Sequence, residues 1–128
     1  MTDHELAALL AAEAGRLLLD VRAEFADAAA QDRKDAGDKR SHDFLMAALV
    51  AERPDDAVLS EEGVDDPVRL SAQRVWIVDP LDGTREFSEL DRTDWAVHVA
   101  LWEAGELVAG AVALPAQDIT LATPSVAA

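Results

Sequence analysis

The stretch Trp76-Ile77-Val78-Asp79-Pro80-Leu81-Asp82-Gly83-Thr84 decides how the rest of the chain is read. With Arg74 and Val75 ahead of it, it begins as a run that is apolar on both faces, as in a central strand covered on each side. The run ends on an acid, Asp79, and passes into Pro80–Thr84, whose Pro, Asp and Gly favour a turn. A short helix is expected from Arg85 to Leu90, with Gly83 and Thr84 at its start. There Thr84 can act as the cap, and the backbone N–H groups can face a phosphate. A strand that delivers an acid into such a turn brings Asp79 and Asp82 together, with the Leu81 carbonyl between them. Carboxylates plus a carbonyl form the hard-oxygen set that Mg²⁺ prefers, and without a cation they repel one another. Asp-Gly and Asp-Pro are ordinary turn pairs taken singly. The chemical reading rests on their placement with other acids: Glu61-Glu62 after a preceding strand, and Asp38 at the mouth of a helix.

Outward from this stretch, the N-terminal side reads as helix. Leu6, Leu9, Leu10, Leu17, Leu18, Val21 and Phe25 recur at helical spacing and predict a helix over residues 3–26. The polar run from Asp27 to Gly37 reads as a loop. A second helix is expected from Lys39 to Arg53, with Phe44, Leu45, Ala48 and Leu49 as its apolar stripe, ended by Pro54. Ala57–Ser60 reads as a short strand. On the C-terminal side, Trp95–Trp102 alternates, with Trp95, Val97, Val99 and Leu101 on one face and Ala96, His98, Ala100 and Trp102 on the other. Glu103–Glu106 is a hairpin turn into Leu107–Leu114, Pro115 closes that strand, and Ile119–Ala122 adds a last short one. The fold class is α+β, two N-terminal helices layered on a mostly antiparallel sheet. Residues 1–128 form a single unit without repeats or an interdomain linker.

Composition narrows the function. Half of the 128 residues are hydrophobic, which suits a packed core rather than a disordered chain. Twenty-six acids against eleven Lys and Arg give a net charge of −15, which argues against a nucleic-acid polymer as partner. An anionic substrate would then need divalent cations to neutralise it. No run is long enough to span a membrane and no signal peptide is visible, so a cytoplasmic location is expected. With no cysteine, thiolate metal sites and thiol nucleophiles are excluded.

The D-P-L-D-G-T motif of Asp79–Thr84 resembles the signature of the Mg²⁺-dependent, lithium-sensitive phosphatases that include the inositol monophosphatases. Ser60-Glu61-Glu62 resembles that superfamily's upstream acidic pair, and Gly37-Asp38 its earlier Asp. Arg85-Glu86-Phe87 after the motif most resembles the CysQ-type 3′(2′),5′-bisphosphate nucleotidases. The resemblance implies the N-terminal half of the layered α/β sugar-phosphatase fold, because the family is about twice as long and draws a further metal-binding Asp from its second half. It implies hydrolysis of a small phosphorylated substrate, 3′-phosphoadenosine 5′-phosphate first, with inositol 1-phosphate or fructose 1,6-bisphosphate as alternatives. It implies Mg²⁺ held by Glu61, Asp79, the Leu81 carbonyl and Asp82, in two sites, with Asp38 supporting the attacking water or a third ion. Thr84, hydrogen-bonded toward Glu61, would help to deprotonate that water. The Gly83 and Thr84 amides would grip the phosphate, and Arg85 would reach a second phosphate or pair with Glu89.

Competing readings fare less well. Haloacid-dehalogenase-type phosphatases place their two acids one residue apart, whereas Asp79 and Asp82 have two between them. A P-loop ATPase needs a G-x-x-x-x-G-K-[ST] run, which the sequence lacks. A non-catalytic fragment or interaction protein with an incomplete metal site is the third alternative. His98 reads as a core or interface residue distant from every acid of the pattern, and His4 and His42 as solvated. Two helices can cover only one sheet face, so homo-oligomerisation or association through the uncovered face is expected.

Overall fold

The computed structural model describes residues 1–61 and 71–125. Helix α1 spans Asp3–Glu24 and starts with a capping box, in which Thr2 Oγ1 accepts from the Glu5 amide while Glu5 reaches back to the Thr2 amide. Its stripe lies against the sheet, with Leu6, Leu10, Leu18 and Val21 buried and Leu9 left exposed.

Helix α2 spans Ala30–Glu52, so the expected loop up to Gly37 is wrong for most of its length. Polar residues do not break a helix when a tertiary partner takes them up, and here the partner is the end of α1. Arg33, only 7% exposed, donates to the carbonyls of Phe25 and Ala28, both at 3.0 Å. Asp38 therefore stands inside a helix rather than at its mouth. Leu45 and Leu49 are fully buried, as the apolar stripe requires.

The sheet has five strands in the order β1 (Ala57–Ser60), β2 (Arg74–Asp82), β3 (Ala96–Glu103), β4 (Glu106–Leu114) and β5 (Ile119–Ala122). The β1–β2 pair is parallel and the other three pairs are antiparallel, which gives the mostly antiparallel sheet expected. A five-residue helix α3 (Thr84–Ser88) follows β2, and a 3-10 turn, Pro115–Gln117, precedes β5.

Both helices pack on one face. Trp76, Val78, Trp95, Val97, Val99 and Leu101 are at most 1% exposed there, with Ala109, Ala111 and Ala113 opposite them on β4. The β3 alternation holds, and two of the three tryptophans are core residues. β2 is an inner strand, but among the described residues no helix lies on its second face, and Ile77 is 37% exposed on that side. The expectation of cover on both faces of this strand is thus corrected.

Candidate active site

Strand β2 does not stop at Asp79; it runs on through Pro80 to Asp82. In a regular strand, residues three apart point to opposite faces, because side chains alternate with period two. Here Asp79 pairs with His98 and Asp82 with Ala96, so three steps on β2 match two on β3. This one-residue bulge reverses the parity and brings both acids to the helix-free face. Pro80 fits the irregularity, since it has no N–H to give to a ladder. Ser41, fully buried on α2, anchors the bulge by donating to the Pro80 carbonyl at 2.7 Å.

Burial pushes the Asp79 carboxyl above its ordinary range, and the negative charges of Glu61 and Asp82 push it further. The Leu81 amide donates to it and offsets part of the shift. Glu61, exposed at the end of β1, donates its amide to the Val78 carbonyl at 3.4 Å. Asp79 therefore senses the charges of both Glu61 and Asp82; Glu62 lies outside the described residues. No group of three or more His, Asp or Glu side chains is close enough to hold an ion among the described residues. Mg²⁺ takes one or two carboxylates and fills its octahedron with water and substrate phosphate oxygens. Mutually repelling oxygen donors, with no Lys or Arg paired to Asp79 or Asp82 among the described residues, fit such an ion.

Thr84 Oγ1 donates to Asp38 Oδ1 at 3.5 Å, which joins α2 to the start of α3. The family resemblance implies a Thr84 bond toward Glu61, and the described contact is with Asp38 instead. Gly83 adopts φ +84°, the left-handed region that glycine tolerates, and so turns the chain from β2 into α3. Arg85 is 77% exposed and lies 3.6 Å from Glu89, the ion pair weighed against substrate binding. A cleft on the α2 side is lined by Asp35, Asp38, Lys39, His42 and Asp43.

Some contributors escaped the sequence reading. His98 Nε2 donates to Asp82 Oδ2 at 3.0 Å, so the expectation that it is distant from the acids is overturned. Its position mid-strand gave no signal, because the antiparallel register and the bulge put Asp79 and Asp82 beside it. His42 Nδ1 is hydrogen-bonded to Ser60 Oγ at 2.8 Å, and His4 Nδ1 to Thr123 Oγ1 at 2.6 Å; neither is merely solvated. Behind α3, Arg22 Nε donates to the Phe87 carbonyl at 2.9 Å and Arg33 Nη2 to the Ser88 carbonyl at 2.6 Å.

Comparison with known proteins places these features in context. Residues 3–125 match the inositol monophosphatase family. The chain is similar to a 3′-phosphoadenosine 5′-phosphate phosphatase from Mycobacterium leprae, with 54% identity over 91% of this chain and 46% of the relative. It is also similar to the 3′(2′),5′-bisphosphate nucleotidase CysQ of Escherichia coli, with 40% identity over 66% of this chain and 34% of that protein. Among solved structures, inositol monophosphatase II from Staphylococcus aureus superposes with a TM-score of 0.85 at 27% identity, over 96% of this chain and 45% of that one. The chain spans about half the length, or less, of the curated relatives it matches. No helix among the described residues is long and apolar enough to cross a membrane.

Proposed function

The chain belongs to the inositol monophosphatase family, and from that premise we propose that residues 1–128 are the metal- and phosphate-binding part of a 3′-phosphoadenosine 5′-phosphate phosphatase. The observation that carries this reading is the bulge in β2, which faces Asp79 and Asp82 the same way with Glu61 near enough to raise the Asp79 carboxyl. The substrate class is supported by the names of the relatives, a 3′-phosphoadenosine 5′-phosphate phosphatase and a bisphosphate nucleotidase. A small phosphorylated substrate and a cytoplasmic location belong to the same reading.

Glu61, Asp79, Asp82 and the Leu81 carbonyl would hold Mg²⁺, in two sites with Asp38 near a third. Bound there, the cations supply charge neutralisation at the phosphoryl oxygens of an in-line displacement. The chain's own residues do the rest. Thr84, whose hydroxyl proton is directed to Asp38, leaves its oxygen lone pairs free to orient an attacking water, and the Asp38 carboxylate can take up the proton. Gly83 allows close approach of a phosphate to the Gly83 and Thr84 amides. Arg85, freed from Glu89, can reach a second phosphate.

The test is substrate preference. On a full-length relative carrying these residues, kcat/KM for 3′-phosphoadenosine 5′-phosphate should exceed that for inositol 1-phosphate and for fructose 1,6-bisphosphate. A preference for inositol 1-phosphate would place the protein on the monophosphatase branch instead.

A further inference from the structure

The acids of the site have a further neighbour on β3. His98 lies opposite Asp79 in the β2–β3 ladder, and its ring crosses to the bulge to meet Asp82 Oδ2 at 3.0 Å. Asp82 itself is loosely enclosed, its side chain 59% exposed. A carboxylate that exposed rotates between orientations unless something outside it fixes one oxygen. Among the described residues, the hydrogen bond to the Asp82 side chain comes from His98.

We propose that His98 is a positioning residue, whose Nε2–H ties down Oδ2 of Asp82 and so presents Oδ1 to a divalent cation. The proposal rests on the reading of Asp79 and Asp82 as cation ligands. Its physical basis is that of an outer ligand shell: a carboxylate that binds a metal is oriented by a hydrogen bond to its other oxygen. An imidazole suits the task here. In its neutral Nε2–H form it donates one bond without adding a fixed positive charge beside the ion, as Lys or Arg would. Its short, planar side chain projects from an inner strand of the sheet, paired on both sides by β2 and β4, so the donor is held by the backbone ladder rather than by a mobile loop. From β4 the ring is faced by Val112, which offers no competing acceptor.

Calorimetric Mg²⁺ titration of the 128-residue chain separates the possibilities, using wild type, His98→Ala, His98→Gln and Asp79→Asn. Thermal unfolding of each without Mg²⁺ reports on fold alone. The expected result is that His98→Ala weakens Mg²⁺ binding about ten-fold or more, the scale on which outer-shell partners act. His98→Gln, whose amide can still donate to Asp82, should recover most of the affinity. Neither change should lower the metal-free unfolding midpoint appreciably. A long-range ¹H–¹⁵N spectrum should also show the His98 ring protonated at Nε2. Loss of affinity in Asp79→Asn with none in His98→Ala overturns the positioning role and leaves the cation site standing. Equal loss in His98→Ala and His98→Gln overturns it too, since restoring the donor then restores nothing. No Mg²⁺ binding by wild type, or unchanged affinity in Asp79→Asn, overturns the reading of the acids and this role with it.

Discussion

Asp79 works against the fold in the metal-free chain. Its carboxyl is raised by burial first, then by the charges of Glu61 and Asp82. A raised carboxyl binds its proton more tightly in the folded chain than in the unfolded one. Its favourable contribution is therefore complete below the ordinary carboxylate range and is lost as pH rises through the raised value. In metal-free solution, Asp79→Asn should accordingly raise the unfolding midpoint near neutral pH. The gain should shrink as pH falls from about 7 toward about 4. Thermal unfolding with a chelator present measures this, and a variant less stable than wild type at neutral pH would show that Asp79 is not a repelled group. Thr84 carries a second prediction at this scale. If Asp38 and Thr84 move a proton together, Thr84→Val and Asp38→Asn should each lower kcat in a full-length relative by roughly 10²-fold or more. Combining them should cost little beyond either alone, because groups that act as a unit are not additive. Additive losses would mean that the 3.5 Å contact has no shared role.

Helix α3 has only five residues, too few to persist without tertiary support. Its support is two buried guanidiniums. Arg22 donates to the carbonyls of Phe87, Glu89 and Arg92 while lying 5.3 Å from the centre of the Trp95 ring, and Arg33 takes the Ser88 carbonyl. Burial, aided by the charge of Arg33, holds the Arg22 guanidinium below its usual basicity. Replacing Arg22 by Met would leave carbonyls without donors, at a cost of roughly 1–3 kcal/mol for each group left buried. Urea unfolding should register that loss, and hydrogen exchange over residues 84–92 should rise most. Gly37 tests the packing of the same element from α2. Alanine there would gain about 1 kcal/mol in helix propensity. Its Cβ, however, would stand 2.8 Å from Phe87 and 3.2 Å from Leu81, both nearly inaccessible to solvent. Overpacking of that kind costs about 1–3 kcal/mol, so the net effect of Gly37→Ala should be destabilising, with Thr84 displaced from Asp38. These elements also show what a sequence can and cannot reveal. The β3 alternation was legible because every second residue meets the helices, and the D-P-L-D-G-T acids because their order along the chain is itself the signal. The start of α2 was not legible, since Arg33 looks like a solvated residue until the end of α1 and α3 surround it. Nor was the contact of His98 with Asp82, because a bulge changes parity without changing composition.

At the scale of the whole molecule, two terms of different range oppose each other. Both helices lie on one face of the sheet, and on the other Ile77, Ile119 and Leu121 are 37%, 41% and 46% exposed. The β5 strand at the sheet's edge adds backbone groups open to a further strand. Burying such a face contributes on the order of 25 cal/mol per Å² and favours association of the 128-residue chain with itself. Against it stands the net charge of −15, which makes copies repel. The apolar term is short-ranged and nearly indifferent to moderate salt. Charge repulsion acts over the Debye length, which falls from about 30 Å at 0.01 M to about 10 Å at 0.1 M. Salt should therefore tip the balance: light scattering should show mostly monomer at low ionic strength and growing assemblies as salt rises. Leu121→Lys should restore the monomer at the higher salt, because it places a charge in the contact itself. An acid-to-Lys change on the outer face of α1, such as Glu13→Lys, should promote assembly, because it only lowers the net repulsion. A chain that stays monodisperse at every salt concentration, or that assembles most at low salt, would show that its helix-free face is not what brings copies together.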